Sequence, residues 1–241
     1  MQERYLGDIH DYFKFIFLKF LSHKLKRKVG LNWYLIDPRD IGLNEIKKVD
    51  GEKRNYLLQK KFSDIDKTIF QEFLKFQNKK NRKIALFTKK THLKQYINFF
   101  NHKITNKTRL RWYEESISHF KKQSIIFLDP DNGLQKNIKI EKKSLKHINV
   151  EEVKGYLTNR KTIIYTQFQS FNKNHLIYLK EIVNFFGENE IFIKLPIIRN
   201  RTAPNTFYIT ITADKLICKE LEKVYKEFSI MRKEHVNLIT I

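Results

Sequence analysis

A run of polar, turn-forming residues ends a short apolar segment in the second half of the chain. Residues 125–128 are all apolar and predict a buried strand, and residues 129–133 then read Asp-Pro-Asp-Asn-Gly. In open α/β sheets, ligands bind at the carboxyl ends of the strands. We therefore predict a catalytic site that contains Asp129, Asp131 and Asn132. The alternative is a purely structural turn whose aspartates act as caps.

Three charged residues share one side of a predicted N-terminal helix over residues 9–25. Asp8, Asp11 and Lys14 are spaced three residues apart, which aligns their side chains along a helix. The other positions are mostly apolar, which predicts burial on nearly every side. Asp8 is also a suitable N-cap residue. The stripe is therefore either a cap with a local ion pair or part of a functional site.

Carboxylates close to a lysine also suggest metal-dependent chemistry. Asp129 and Asp131, joined by Asp8 or Asp11 and by Lys14, have the oxygen ligands that Mg²⁺ prefers. The alternative function is thus a Mg²⁺-dependent nuclease of the restriction or defence type. The segment 190–194 resembles the second half of a restriction-nuclease motif, but Phe192 stands where an acid is needed. No pair of histidines flanks a glutamate at helical spacing, so a zinc site is not expected.

Strand-like and helix-like segments alternate along the chain. Strands are predicted at 31–37, 83–87, 124–128, 161–168, 190–198 and 206–212. Helices are predicted at 9–25, 64–78, 91–101, 109–121, 150–157, 173–186 and 214–228.

This alternation predicts an α/β fold with a mostly parallel sheet. Only seven residues, 199–205, separate the last two predicted strands. That is too short for a parallel crossover, so those strands should form an antiparallel hairpin at the C-terminal end of the sheet. The pattern matches a Rossmann-like, methyltransferase-type sheet. We expect one domain over residues 1–241, with an inserted helical or irregular segment at about 39–82 that contains a turn at Asp50 and Gly51.

The charge balance predicts a polyanionic partner. The chain has 241 residues, 48 Lys and Arg against 26 Asp and Glu, and a formal net charge of +22. Such a field attracts nucleic acid, RNA or DNA. The alternative is a lysine-rich composition without functional meaning. Cys218 is the one cysteine, and charged residues interrupt the apolar stretch at 9–25, so we expect a cytoplasmic protein without a membrane partner. The oligomeric state stays open.

Several aromatic and basic residues are candidates for contacts with nucleic acid. Trp33, Arg39, Arg199 and Arg201 are the predicted nucleic-acid-binding residues, because arginines bind phosphates and aromatic rings stack on bases. Tyr34, Trp112 and Tyr113 are further aromatic candidates, and core packing is the alternative for all of these rings. A non-catalytic nucleic-acid-binding module is thus a third possible function.

Four segments carry a resemblance to known families. The chain resembles a widespread bacterial family without assigned function. The resemblance lies in GDIHDYFK (7–14), NWYL (32–35), FLDPDNGL (127–134) and SLKHI (144–148), together with the pair Asp50-Gly51. A more distant resemblance is to the large-subunit ribosomal RNA adenine methyltransferases. Residues 7–14 are similar to their N-terminal motif, and Asp129-Pro130-Asp131-Asn132 stands in the place of their D-P-P-Y motif.

The second resemblance implies an S-adenosylmethionine-dependent base methyltransferase, or a degenerate relative of one. It implies that Asp129 binds the exocyclic amine of a flipped base and that Lys14 lines the pocket. For an enzyme of this kind, the predicted cofactor-binding residues are Gly7, Asp8, Asp11 and Asp37.

The chain departs from the methyltransferase pattern at three places. Asp131 and Asn132 replace the second proline and the aromatic residue, so another residue must stack on a base. Phe15 stands where the family has histidine. The segment 35–42 follows the first predicted strand without a glycine-rich loop.

Overall fold

The computed structural model describes residues 1–48, 53–136, 142–202 and 204–241. In these residues the strands are β1 (Val29–Asn32), β2 (Ile97–Phe100), β3 (Ile125–Leu128), β4 (Thr162–Phe168), β5 (Ile197–Asn200), β6 (Thr206–Ile211) and β7 (Val236–Ile239). The α-helices are α1 (Ile9–Leu25), α2 (Pro38–Ile41), α3 (Leu43–Ile46), α4 (Lys60–Ile65), α5 (Lys67–Leu74), α6 (Ile84–Lys90), α7 (Arg109–His119), α8 (Val150–Thr158), α9 (His175–Glu188) and α10 (Lys215–Met231).

The seven strands form one mixed sheet in the order β2-β1-β3-β4-β6-β5-β7. The first four of these are parallel, whereas β6 runs antiparallel to both β4 and β5. It follows that β5 runs in the same direction as β1 to β4, and that β7, antiparallel to β5, runs with β6. The predicted α/β class and the C-terminal antiparallel hairpin are confirmed.

Helix α1 covers one face of the sheet and is buried on almost every side, as its apolar pattern predicted. The Asp8 side chain accepts a hydrogen bond from the Asp11 backbone at 2.9 Å, so the predicted N-cap is confirmed. Phe15 and Phe17 pack into the core cluster that also contains strand residues such as Phe127. The helix is therefore held by packing, and its first turn lies at the edge of the sheet.

Two predictions between β1 and β3 are wrong. Residues 83–87 form most of α6 rather than a strand, and Ile84 and Phe87 are buried at helical spacing. The predicted helix at 91–101 contains β2 instead, which occupies the edge of the sheet beside β1. Short apolar runs fit either periodicity, and the pairing of β2 with β1 decides the outcome here.

The bounds of other strands also differ from the prediction. Strand β1 ends at Asn32, because the Asn32 side chain accepts a hydrogen bond from the Tyr34 backbone and Tyr34 adopts φ 48°. Residues 190–196 are outside β5, and Phe192 is largely exposed, so the nuclease-like strand at 190–194 is not formed. Strand β7 was missed.

The predicted insertion at 39–82 contains short helices, α2 to α5, between β1 and β2. Its predicted turn at Asp50 and Gly51 lies outside the described residues. None of the helices in the described part of the chain combines the length and apolarity needed to span a membrane.

Candidate functional site

A cavity of about 700 Å³ opens at the carboxyl ends of β3 and β4. The chain crosses from β2 past β1 to β3, so the order of strands reverses between β1 and β3. Such a reversal is where open α/β sheets place their ligands. The backbone N–H of Asp129 donates to the Asn32 carbonyl at 2.9 Å and closes the gap between the two strand ends. Asp129 thus stands at the switch point and lines the cavity.

The Lys14 ammonium lies between two buried carboxylates. Its Nζ is 2.5 Å from Asp11 Oδ1 and 2.5 Å from Asp129 Oδ2. Only 3% of Lys14 is exposed, and its ammonium also lies 4.9 Å from the centre of the Trp33 ring. The proximity of the N-terminal stripe to the 129–133 turn is therefore confirmed. The stripe forms the local cap and ion pair, and through Lys14 and Asp129 it also makes a contact between distant parts of the chain.

Electrostatics hold Lys14 in its charged form. Burial alone would lower the pKa of Lys14, but Asp11 and Asp129 raise it above its ordinary value. Burial raises the pKa of Asp11 and of Asp129, and Lys14 only partly offsets that effect. One ammonium therefore serves two carboxylates, whose other oxygens accept hydrogen bonds from the Gly7 N–H at 2.8 Å and from the Thr166 hydroxyl at 3.3 Å. The cluster thus has two carboxylates but only one positive charge.

Asp8 and His10 complete this side of the cavity, and both have strongly shifted pKa values. Burial raises the pKa of Asp8 to about 7, against the opposing effect of its hydrogen bond from Asp11 and of nearby cations. Burial, with Lys53 nearby, lowers the pKa of His10 to about 4. The His10 Nδ1 lies 3.1 Å from the Thr202 hydroxyl. Burial thus favours the uncharged form of both groups.

Asp131 faces other partners than Asp129 does. Its Oδ2 accepts a hydrogen bond from Gln2 at 2.8 Å, and its Oδ1 lies 3.0 Å from the Met1 amino group. Burial would raise the pKa of Asp131, but the Met1 amino group and Lys146 hold it below its ordinary value. The two carboxylates of the turn are thus separately paired.

Gly133 provides the sharp bend of the turn. It adopts φ 80°, a left-handed conformation that side chains rarely adopt. A Cβ built there would lie 2.3 Å from the Gln167 side-chain oxygen, which accepts a hydrogen bond from the Leu134 backbone. The Gln167 side chain therefore lies in the space that a side chain at this position would need. Asn132 lines the cavity, and its backbone N–H donates to the Lys146 carbonyl at 2.8 Å.

The opposite wall was missed by sequence reasoning. It consists of Phe168, the last residue of β4, and Phe171 beyond it, with Thr206 and Tyr208 from β6. Phe168 packs edge-to-face against His10, whereas 83% of Phe171 is exposed at the mouth of the cavity. Because β6 is antiparallel, its amino end reaches the edge of the sheet where β3 and β4 end. Thr206 and Tyr208 lie at the amino end of a strand, so the rule that ligands bind at carboxyl ends does not identify them.

Two predicted residues lie away from the cavity. Asp37 caps α2 and binds the Arg39 guanidinium at 2.6 Å and Lys103 at 3.1 Å. The Arg39 side chain is largely exposed beside it. Gly7, in contrast, lies at the start of α1, where its N–H donates to the Asp11 carboxylate at 2.8 Å. It supports the cluster through the backbone.

The predicted nucleic-acid-binding residues are dispersed. Trp33 is fully buried in the core, so its ring contacts Lys14 and neighbouring aromatic residues rather than the surface. Tyr34 and Trp112 are buried against each other, so for these rings core packing is the observed role. Arg199 on β5 lies against His175 at 3.2 Å.

Arg201 follows β5 and binds the Lys233 carbonyl at 2.5 Å. Neither arginine lines the cavity. The lysines that line it are Lys48 and Lys53, which are exposed, and Lys146, which is buried and paired with Glu45. Lys146 lies in the segment 144–148 that carries the family resemblance, whereas no feature of the sequence around Lys48 and Lys53 distinguishes them from the many other lysines in the chain.

The donor set does not fit a shared metal ion. Within the described ranges, no three His, Cys, Asp or Glu side chains are grouped so that they would hold one. The Lys14 ammonium stands where Asp11 and Asp129 converge, and Asp131 is turned to Gln2.

The end of β1 does not fit a nucleotide cofactor. Residues 33–36 are buried and lack glycine. The Tyr34 carbonyl accepts a hydrogen bond from the Met1 amino group at 2.8 Å, and the Ile36 N–H donates to the Met1 carbonyl at 3.0 Å. The backbone groups that would face an adenosine are therefore already bonded.

Comparisons with protein-family models, with curated proteins and with solved structures find no match for this chain. The interpretation of the site therefore depends on its own geometry.

Proposed function

We propose that this chain is a nucleic-acid-binding protein that takes an unpaired nucleobase into the cavity beside Asp129. The base would be one with an exocyclic amino group, adenine or cytosine. The observation that carries the proposal is the acidic cluster, in which Asp11 and Asp129 share the single ammonium of Lys14. A ligand that donates hydrogen bonds would be favoured beside two carboxylates that share one positive charge, because carboxylates accept more than one hydrogen bond per oxygen.

The rest of the cavity supports the same ligand class. Phe171 offers an exposed ring at the mouth, and stacking on aromatic rings is the common way to hold an unpaired base. Lys48 and Lys53 are exposed at the rim, where they would meet the phosphates that flank the base. The formal net charge of +22 favours association with a polyanion over the whole surface.

Fluorescence anisotropy with short single-stranded oligonucleotides tests this proposal. Each oligonucleotide carries one variable position, adenine, cytosine, thymine or an abasic site, within the same thymine-rich context. We expect binding that weakens steeply with salt, because phosphate contacts release counterions. We also expect tighter binding to adenine or cytosine than to the abasic strand, by about one hydrogen bond, or 2-fold to 12-fold.

A matched pair of variants separates the site from general charge. Asp129→Asn and Asp37→Asn each remove one negative charge, but only Asp129 lines the cavity. Both should strengthen binding to the abasic strand slightly, and only Asp129→Asn should lose the preference for amino-bearing bases. Equal binding of all four strands by the unaltered protein would contradict the proposal, as would absence of binding at low salt.

Methyl transfer is the second candidate function, and the topology of the sheet favours it. Strand β6 is antiparallel between β4 and β5, while β5 keeps the parallel direction, an arrangement that supports a Rossmann-like, methyltransferase-type fold. The end of β1 does not fit the cofactor, so we derive no step that uses it. Incubation with labelled S-adenosylmethionine and oligonucleotide decides: incorporation that Asp129→Asn abolishes would establish this reaction. A parallel incubation with Mg²⁺ tests cleavage by a nuclease.

A further inference from the structure

Two hydroxyl groups in the wall of the cavity have no hydrogen-bond partner. They belong to Thr206 and Tyr208 of β6, and each residue is only 1% exposed. The neighbouring Asn200 of β5 is fully buried, and neither atom of its carboxamide is hydrogen-bonded. Buried polar groups are almost always bonded, so three unsatisfied residues in one place call for an explanation.

The register of the sheet brings these groups together. Asn200 pairs directly with Thr206 across the hairpin, and Tyr208 lies two residues further along β6 on the same face. On the other side, β4 pairs Thr166 with Tyr208 and Phe168 with Thr206. This is the face of the sheet that α1 covers.

Both β6 residues line the same cavity as Asp129. The polar wall therefore faces the space beside the acidic cluster.

The Tyr208 hydroxyl keeps its proton. Burial raises its pKa well above the ordinary value, and the nearby Asp129 and Asp11 carboxylates add to that effect. Asn200 lies close enough to act on the same hydroxyl, but the two groups do not meet in hydrogen-bond geometry. The wall thus presents neutral hydroxyls that can both donate and accept.

We propose that Thr206 and Tyr208 recognise the polar edge of the base whose amino group Asp129 binds. This inference rests on the proposed function and names the residues that set base preference. On one side of the amino group adenine presents its N7 acceptor, whereas cytosine presents only a C–H. Hydroxyls on the wall that donate to N7 would therefore separate adenine from cytosine.

The experiment compares Tyr208→Phe and Thr206→Val with a matched control, Tyr165→Phe. Tyr165 is on β4, its hydroxyl is also buried and unpartnered, and it packs in the cluster on the other face of the sheet. Each variant removes one unsatisfied hydroxyl with little change of shape. Binding is measured with the single-stranded oligonucleotides that carry adenine, cytosine, thymine or an abasic site.

In each of the two wall variants, we expect the ratio of the affinities for adenine and cytosine to fall about 5-fold, which corresponds to the free energy of one hydrogen bond. Affinity for the abasic strand should stay unchanged, and Tyr165→Phe should behave as the unaltered protein. Thermal unfolding provides a second readout, since removing an unsatisfied hydroxyl should not lower the melting temperature in any of the three.

The outcomes distinguish the two proposals. If the unaltered protein prefers amino-bearing bases and the wall variants keep its adenine-to-cytosine ratio, the recognition wall is refuted while the base-binding cavity stands. If the unaltered protein binds the abasic strand as tightly as the others, both proposals fail. A loss that Tyr165→Phe shares equally would also overturn the inference, because it would trace the effect to general stability.

Discussion

The pKa shifts of Asp8 and His10 should have opposite effects on the pH dependence of the free energy of unfolding. Variants that remove one residue at a time therefore test directly how strongly the cavity buries these groups. Both residues line it on the side of α1. Burial raises the pKa of Asp8 from 3.8 to about 7 and lowers that of His10 from 6.5 to about 4. The folded protein therefore holds a proton on Asp8 over much of the range where the unfolded chain holds one on His10.

The sign of each contribution follows from proton counts. Between pH 4 and 7 the folded state binds the Asp8 proton and the unfolded state does not, so stability falls as pH rises. Between pH 6.5 and 4 the unfolded state protonates His10 and the folded state does not, so stability falls as pH drops. Near pH 5 each state carries one of the two protons, and the pair adds almost no slope.

Asp8→Asn should expose the histidine contribution. Asparagine caps a helix as well as aspartate does, so α1 keeps its first turn. The free energy of unfolding should then rise with pH by about 1.4 kcal/mol per unit relative to the unaltered protein between about pH 4 and 7, the range over which Asp8 contributes. His10→Gln should show the reverse, a relative fall of about 1.4 kcal/mol per unit between about pH 4 and 6.5, the range over which His10 contributes.

Urea unfolding in steps of pH measures these slopes. Asp11 and Asp129 also have raised pKa values, and because they are present in all three proteins, comparison with the unaltered protein removes the part of their contribution that does not depend on Asp8 or His10. At pH 8, where Asp8 is ionised in both states, Asp8→Asn should be the more stable protein by up to about 4 kcal/mol. Parallel pH profiles for Asp8→Asn and the unaltered protein would refute the reasoning about burial.

Three further predictions concern single side chains. Lys14→Met leaves two buried carboxylates without a counter-ion and should cost about 3–5 kcal/mol at pH 7, with part of the loss recovered at pH 5 in chemical unfolding. Gly133→Ala should cost about 1–3 kcal/mol, because its φ is 80° and its Cβ would clash, whereas Gly187→Ala in α9 should be stabilising in the same assay. Phe171→Ala should change the free energy of unfolding by no more than about 0.5 kcal/mol, but it should weaken binding to single-stranded nucleic acid by about 1–3 kcal/mol. The control Phe192→Ala removes an exposed ring outside the cavity and should leave that binding unchanged.

The parts of the fold that sequence predicts are those with strong local signals. Helix α1 has a cap and apolar residues all round, and the hairpin of β5 and β6 follows from a connection too short for a crossover. In contrast, α6 and β2 were exchanged, since runs of four or five apolar residues do not distinguish helix from strand. For residues 97–100, the long-range pairing with β1 at the edge of the sheet decides in favour of a strand.

The site was predictable from one side only. The spacing of Asp11 and Lys14, and the turn that begins at Asp129, both mark residues that the structure brings together. The residues of the opposite wall, Thr206 and Tyr208, have ordinary strand identities. Their place in the cavity depends on the antiparallel pairing of β6 with β4, which no local sequence pattern predicts.

A second buried charge cluster shows why the cavity, and not buried charge in general, points to a ligand. Arg109 binds the Glu152 carboxylate with two hydrogen bonds at 2.7 and 2.9 Å and also bonds two backbone carbonyls, while Tyr34 donates to the same carboxylate. There the donors match the acceptors, as a structural network requires. Around Lys14 the carboxylates outnumber the ammonium, and the Tyr208 hydroxyl has no partner. Both clusters arise in one chain under the same folding constraints. The cluster around Lys14, whose charges are unmatched, is also the cluster that borders the cavity. This combination is expected where the missing partner is a ligand.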